Sequence, residues 1–552
     1  MKPARNVLIY GALLVGTVIF AWPFLWMATT SIRLERELYG EKAHLWPERP
    51  AAHAVSPYVD TRYYQDVTGP RMAEAVGDIE ADLRRMNYAW PTDVDQAALI
   101  HACATGIYKE LRDSLPAGDW DDGAEGLKEL LAKQVSAAVV SKSVDEVRRV
   151  LCVGELVAQS DDLKEDKLVG GQDIAVTWQG GAKGHVQLVE EAGATPCAEV
   201  RYDLSDGGAV ELAHTFATTF PVDHLRRIQL SMRDDDSWNR VMVYVEMGGH
   251  LYKAERAHDL ADNLWTLAFW QRPGPDDQST NKIHNWILLH DGGMGSQYES
   301  DPYKLRILIE VTRATAIGAW WEKICRNYQM VLNYVPFWRY VGTSLFIVIL
   351  SLIGTLFSCS LVAYSFARLQ WPGRNFCFAL MLGTMMVPPQ VTMIPYFLII
   401  RTLGWYNTLY PLWIGNFFAS AFSVFLLRQF LRGVPRDLED AARIDGCGYW
   451  RIYWHIMLPL VRPTLAVIGI FTFMAAWNDF MGPLIYLSDQ RLYPLSLGLY
   501  ALNVSTHGIS TGAGSFGMMM AGSLLMTVPV IVTFFFAQRY FLKGVALTGM
   551  KG

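Results

Sequence analysis

Six long stretches almost free of charge decide most of what this chain can become. They lie at 7–29, 341–367, 376–400, 409–427, 464–487 and 516–537, and Asp479, inside the fifth, is the one charged residue in any of them. A helix needs about 20 apolar residues to cross a bilayer. Within hydrocarbon a segment must satisfy its own backbone donors and acceptors, so each stretch is expected to be helical. The stretch at 7–29 also resembles the apolar core of a cleavable signal. It is too long for one, however, and Trp22-Pro23-Phe24-Leu25-Trp26-Met27 offers no small-residue cleavage site. It therefore reads as a retained first membrane helix.

The remainder is a different kind of object. With 51% hydrophobic residues and a mean hydropathy of +0.14, the chain is too apolar for soluble domains alone and too polar to be membrane throughout. From residue 333 onward there are 14 basic and 6 acidic residues. That leaves 34 basic against 48 acidic for residues 1–332. The acidic half would repel phosphates, which argues against nucleic acid as a partner. Positive charge also orients the spans: Arg368 and Arg374, the arginines from Arg428 to Arg462, and Arg539, Lys543 and Lys551 fall in loops on one side, while Arg401 and Arg491 fall on the other. This predicts cytoplasmic termini and an extracytoplasmic segment at about 46–327.

Within that segment Met72, Val76, Ile79, Leu83 and Met86 form one helical stripe, ending near Pro91. Ser143 and Glu146 have capping-box spacing ahead of Val147, Val150 and Leu151. From about Gln172 the period becomes two: Ile228, Leu230 and Met232; Val241, Val243 and Val245; Leu305, Ile307, Ile309 and Val311. A helical subdomain at 46–165 followed by a β-sandwich-like subdomain at 166–326 is expected, between 1–45, which holds the first apolar stretch, and a membrane core with the other five at 327–552. Asp234-Asp235-Asp236 reads as a solvated turn in preference to a Ca²⁺ site, since further oxygen ligands cannot be named. Trp238, Trp265, Trp270 and Trp286 fit either a core or a sugar-stacking face, with the core favoured. The seven cysteines show no CxxC or metal-ligand spacing. Among Cys103, Cys152, Cys197 and Cys325, a Cys103–Cys152 bridge and free buried thiols both stay open.

The polar loop at 437–463 separates two of the apolar stretches. Asp437, Glu439 and Asp440 open a short helix, where the helix dipole favours negative charge. Ala441 and Ala442 are small enough to let another surface approach. Gly446 permits a turn that a Cβ resists. Beyond it Tyr449 and Tyr453, and Trp450 and Trp454, pair at i,i+4 on a second short helix, which Leu458-Pro459 and Arg462-Pro463 end. Asp440, Ala441, Ala442, Gly446, Ile456, Leu458 and Pro459 together resemble the EAA loop of ABC-importer permeases, with every spacing kept and Asp440 in place of the usual Glu.

The resemblance extends through Tyr340-Val341-Gly342-Thr343-Ser344, Ala363-Tyr364-Ser365-Phe366-Ala367-Arg368, the MVPPQ run at 386–390, Trp477-Asn478-Asp479-Phe480 and the ending from Gln538. It covers 7–46 and 327–552 and is similar to the maltose-type carbohydrate permeases. The fold it implies is a polytopic α-helical membrane protein, a type I importer core of six transmembrane helices; the extracytoplasmic α+β domain read above is an insertion between the first two that a standard short permease of this type lacks. It further implies a second permease subunit, two ATPase subunits, a solute-binding protein and a sugar-like solute. By the same resemblance the tail with Lys543, Gly544 and Lys551 reaches the ATPase.

The chain has no Gly-Lys dipeptide, so a P-loop is excluded. It also lacks HExxH and any His pair at helical metal spacing. It is expected to bind no cofactor and to be no enzyme, with ATP and Mg²⁺ on the partner ATPase chains. A lone carboxylate in an apolar span needs a polar cavity or a neighbouring helix. Trp477, Asn478 and Asp479 therefore fit a pathway lining or a structural hydrogen-bond network equally well. Pro388, Pro389 and Pro395 are expected to break the third span. The acidic insert, tethered near the pathway mouth, suits a docking platform for the solute-binding protein, ahead of direct sugar binding and of a passive spacer. A secondary transporter would want ion-coupling carboxylates in several spans, and a membrane-anchored carbohydrate sensor would want a cytoplasmic signalling domain; neither is found.

Overall fold

The computed structural model describes residues 2–34, 37–38, 46–62, 64–65, 67–116, 120, 124–162, 165–169, 179–180, 184–189, 197–261, 263, 265–273, 286–507 and 515–548. Among the described residues four helices are long and apolar enough to cross a membrane: Ile9–Thr30, Phe337–Arg368, Tyr410–Gly433 and Phe516–Gln538. Two further pairs pass the same test but are sharply bent, Arg374–Thr384 with Pro389–Thr402 at 99°, and Tyr449–Leu460 with Arg462–Trp477 at 77°. Counting each pair as one span gives six. The first helix leaves Leu14, Ile19 and Phe20 bare, the last at 81% exposure. So large an apolar surface is expected against lipid.

The third stretch breaks where expected. Pro388 and Pro389 lack amide donors, and the helix restarts at Pro389. Two other stretches are less regular than their composition suggests. The fourth runs as Tyr410–Trp413, a 3-10 turn at Ile414–Phe418 and then Ala421–Gly433, with Ala419 at φ 52° between the last two. In the fifth, Arg462–Trp477 stops before Asn478, and Met481–Tyr486 is a separate short helix. Asp479 therefore lies in a break, not in a continuous span. The Phe337–Arg368 helix is the centre of this part, packing on Ala421–Gly433, Arg462–Trp477 and Leu495–His507. Gly498 lets that last helix close in, because a Cβ there would sit 2.1 Å from the Tyr340 ring.

The segment between the first helix and this bundle folds as helices followed by strands. Met72–Arg85 buries Val76, Ile79 and Leu83 of the expected stripe, with Ala75 beside them and Met72 and Met86 partly buried, but ends at Met86, where the backbone turns extended. It shares a core with Gln96–Ser114, capped by Asp95, and with Ala137–Val147. The cap of Ala137–Val147 is Ser136, whose side chain accepts from the Val139 amide at 3.4 Å. Ser143 and Glu146 make no capping box: Ser143 is inside the helix and donates to the Cys103 carbonyl oxygen. Cys103 belongs to this helical core, whereas Cys152 packs with Val150 and Cys197 under Trp265. All the described cysteines are free thiols, so Cys103 and Cys152 are not bridged.

Val55–Ser56 and Tyr58–Val59 precede the helices, Arg148–Arg149 pairs with Tyr58–Val59, and the main run of strands starts at Leu151, ahead of the expected change of period; among the described residues fourteen strands join into one sheet. One half orders Val55–Ser56, Cys197–Asp203, Leu151–Ser160, Leu225–Arg233 and Trp265–Gln271 side by side. The other orders Ile287–Met294, His250–Ala254, Arg240–Met247, Lys304–Thr312, Ala209–Ala217 and Gln179–Gly180. A short parallel pairing, Trp270 with Ile287 and Gln271 with Leu288, links the halves. Ile228, Leu230 and Met232 from one half share a single hydrophobic core with Val241, Val243, Val245, Ile307 and Ile309 from the other. The two halves thus share one core and are joined through this short pairing. Trp270 is in that core, and Trp238 is buried elsewhere, with Leu34, Ala261, Ala314 and Ala319.

Asp234, Asp235 and Asp236 do not form a solvated turn; all three are buried. Asp235 accepts from the Tyr202 hydroxyl at 2.5 Å and from the Ser237 amide at 3.1 Å. Asp236 pairs with Arg62, which also holds Asp60 at 3.0 Å. Asp234 lies 3.2 Å from His258 Nε2. Burial alone would pull His258 down, but the Asp234 carboxylate outweighs it and holds the imidazole above its usual range. Burial and Glu322 push Asp259, beside it, up to about 6.

This polar knot stands where the sheet meets the Ala316–Tyr334 helix. Arg240 reaches Glu322 at 2.5 Å, and the Arg256 guanidinium lies 5.2 Å from the Tyr334 ring centre. The same helix grips the first membrane helix. Asn327 donates to the Ser31 carbonyl oxygen at 2.8 Å, and Lys323 forms a buried ion pair with Glu37 while donating to the Glu48 carbonyl oxygen at 2.6 Å.

Candidate coupling site

The loop at 437–463 folds as a short helix, a glycine turn and an irregular helical stretch that bends into the fifth apolar stretch. Asp437, Glu439 and Asp440 occupy the first turn of Asp437–Ile444 and Arg443 the last, each sign placed where the helix dipole favours it. The helix ends in a Schellman motif. The Cys447 amide donates to the Ala442 carbonyl oxygen at 2.9 Å and the Gly446 amide to that of Arg443 at 3.0 Å, with Gly446 at φ +80°. Nothing lies within 4 Å of a Cβ built on Gly446, so the demand for glycine comes from the backbone and not from crowding.

The helix has two unlike faces. Glu439 and Ala442 are buried, and Ala442 packs into a core with Ala363, Ala367, Leu427 and Leu431. Leu438, Asp440, Ala441 and Ile444 face outward, Ile444 at 86% exposure. Of the two small alanines, Ala441 alone is therefore open to another surface, and Ala442 serves close packing within the chain. Past the turn, Tyr449, Trp450 and Trp454 extend the exposed apolar surface, while Tyr453 is buried. Arg443 lies 5.2 Å from the Tyr449 ring centre, tying the two outward rows together. Ile456 and Leu458 pack partly against the inner core, and Pro459 follows at the start of the last turn before Val461.

Two residues outside the loop, Arg368 and Ser360, hold this element from inside. Arg368, the last residue of Phe337–Arg368, places its Nε 3.1 Å from Glu439 Oε1, and both side chains are buried. The contact is one of charge without hydrogen-bond alignment. The same guanidinium donates to the carbonyl oxygens of Leu431 and, at 2.6 Å, Val434, at the C-terminal end of Ala421–Gly433. The sequence signal was available: a charge ending an apolar stretch and another opening the loop helix. Tyr453, in a π-type turn at Tyr453–Met457, shares a 2.6 Å hydrogen bond with Ser360 Oγ. Such turns recur at functional sites.

The other residues of interest lie apart from this element. Trp477 is buried and donates its indole N–H to the Met526 carbonyl oxygen at 3.0 Å. Asn478 is exposed and donates back to Met474 within its own helix. Asp479 is half-buried and accepts from the Gly482 amide at 3.1 Å, starting Met481–Tyr486. Lys543 and Gly544 continue the long Ser515–Thr548 helix instead of forming a separate tail, and Lys551 lies outside the described residues.

Known proteins match the part of the chain that carries this element. The family described as "Binding-protein-dependent transport system inner membrane component" matches residues 354–546. The arabinooligosaccharides transport system permease protein AraQ of Halalkalibacterium halodurans is 36% identical over 216 residues, 39% of this chain and 75% of that protein. The diacetylchitobiose uptake system permease protein NgcG of Streptomyces coelicolor is 32% identical, covering 38% of this chain and 70% of its own length. The lactose transport system permease protein LacG of Rhizobium radiobacter is 31% identical, covering 43% and 81%. Among solved structures, a bacterial ABC transporter that imports the acidic polysaccharide alginate matches at a TM-score of 0.36 and 26% identity, over 39% of this chain and 79% of that one.

Proposed function

This chain belongs to the family of binding-protein-dependent transport system inner membrane components, and from that premise we propose how its parts divide the work of import. It is a multi-pass inner-membrane permease subunit of a carbohydrate ABC importer, a transport component and not an enzyme. The six apolar stretches are six spans, with both termini cytoplasmic and residues of about 46–327 extracytoplasmic, on the strength of the loop charges. A second permease subunit completes the pathway. Two ATPase subunits carry ATP and Mg²⁺, and an extracytoplasmic solute-binding protein delivers a sugar-like solute.

One observation carries the assignment of the coupling role. The Asp437–Ile444 helix turns Glu439 and Ala442 into the bundle and leaves Leu438, Ala441 and Ile444 bare beside Tyr449 and Trp450. An exposed apolar row on a helix fixed from behind is suited to seating in a partner's cleft, and closure of that partner would then move the bundle as a rigid body. The insert is a docking platform for the loaded solute-binding protein. Its acidic balance favours a basic partner face, and its two tethers raise the effective concentration of anything it holds. Purifying the intact complex from its native membrane and identifying subunits and bound solute tests this reading. Two ATPase copies, one further permease and a carbohydrate are expected; a chain that purifies without any ATPase would overturn it.

A further inference from the structure

We propose that Arg368 and Glu439 are positioning residues for energy coupling: a buried charge clamp that fixes the coupling helix to the ends of two membrane helices. The inference rests on the reading of Asp437–Ile444 as the ATPase-docking helix.

The geometry is specific to the inner face of that helix. Arg368 is the meeting point of three elements. It ends Phe337–Arg368, it holds the Leu431 and Val434 carbonyl oxygens at the end of Ala421–Gly433, and it lies 3.1 Å from Glu439. The Arg368 and Glu439 side chains are 3% and 6% exposed. An unpaired carboxylate at that depth would be strongly disfavoured, so turning the helix about its axis to bring Glu439 away from Arg368 is opposed. Ser360 and Tyr453 add a second tie, from the same Phe337–Arg368 helix to the stretch beyond Gly446. The glycine turn is thus bracketed by two anchors. A push on the outward row Leu438, Ala441 and Ile444 then passes into the membrane helices instead of being absorbed by bending at Gly446. Neither Arg368 nor Glu439 belongs to the outward row, so assembly and coupling can be separated experimentally.

The test uses the whole complex reconstituted in liposomes, measuring ATP hydrolysed, solute taken up and subunit stoichiometry together. Glu439→Gln is expected to keep the ATPase subunits bound and ATP hydrolysis running, while solute moved per ATP falls about tenfold, within the range of coupling energies carried by packed networks. Ser360→Ala is expected to lower the ratio less. Should a single charge variant fail to assemble, Arg368→Met combined with Glu439→Leu removes both charges and the unpaired-charge penalty with them. It is expected to assemble and remain uncoupled. A role confined to folding would lower the amount of complex and leave the ratio of solute to ATP unchanged; an unchanged ratio in any assembled clamp variant overturns the proposal. If the ATPase subunits are absent from the wild-type complex, it is the docking reading that fails, and the two failures are distinguishable.

Discussion

Trp477 donates its indole N–H to the carbonyl oxygen of Met526, 3.0 Å away on the Ser515–Thr548 helix. The indole stacks on Phe473 on one side and supplies the bond on the other. Read from the sequence, Trp477 was as good a candidate for the pathway as for a strut; in the structure its indole N–H ties two helices together. Trp477→Phe should keep the packing and lose the bond, lowering stability by about 0.5–1.5 kcal/mol for the hydrogen bond. Thermal unfolding in detergent should show the loss, with uptake per assembled complex unchanged.

The Lys323–Glu37 pair joins the Ala316–Tyr334 helix to the segment that follows the first membrane helix, and both side chains are almost wholly buried. Lys323→Met would strand the carboxylate and should cost about 3–5 kcal/mol, whereas Lys323→Met with Glu37→Gln should recover most of it. Melting temperatures of the two variants, compared with wild type, decide the matter. Equal losses in both would mean that the charge pairing is not what holds this junction.

The knot beneath the sheet predicts a pH effect of definite sign. Asp259 is pushed up to about 6 against an ordinary value of 3.8, by burial and Glu322, against the pull of Arg326, His258 and Arg240. Its folded state therefore holds a proton that the unfolded chain has released between those values. Stability falls as pH rises from about 4 to 6 on account of this residue, by at most about 3 kcal/mol. His258, facing Asp234 and Arg326 as well as Asp259, is held above its usual range, and its contribution is likewise lost as pH rises through the folded value. Asp259→Asn should flatten the dependence between pH 4 and 6 relative to wild type, read as the difference between their melting curves. A difference that does not change with pH would contradict the assignment.

Gly446 at φ +80° predicts that Gly446→Val strains the backbone by about 1–2 kcal/mol or more, since a β-branched residue resists the left-handed region. Open space around the position means that nothing else is disturbed. Uptake should fall steeply while the amount of chain in the membrane stays near wild type. Normal uptake in that variant would show that the turn can be made another way.

The sequence was informative wherever one physical term dominated. Long uncharged stretches declare themselves because hydrocarbon tolerates little else, and Ile79 and Leu83 or Ile228 and Leu230 declare their elements through period alone. Breaks inside apolar stretches were legible at Pro388-Pro389, where an amide is missing, but not at Ala419 or Asn478, where the chain turns without an obvious breaker. Buried polar groups were misread: Asp234, Asp235 and Asp236 resemble a surface turn until Tyr202, Arg62 and His258, far off in sequence, arrive to satisfy them. The same holds for the coupling element. Its spacing from Asp440 to Pro459 was visible, whereas the pairing of Glu439 with Arg368 was not: each charge could be seen at the end of its own element, but nothing local joined the two.

The most direct test of the central claim is an assembly measurement on the outward face of Asp437–Ile444. Ile444→Asp places a charge on the most exposed apolar side chain of the row without touching Glu439, Arg368 or the glycine turn. Purified through a tag on this chain, the variant should retain the second permease and lose the ATPase subunits, measured as their ratio to the permease by quantitative gel or mass spectrometry. ATPase subunits present at the wild-type ratio, with uptake unimpaired, would contradict the account.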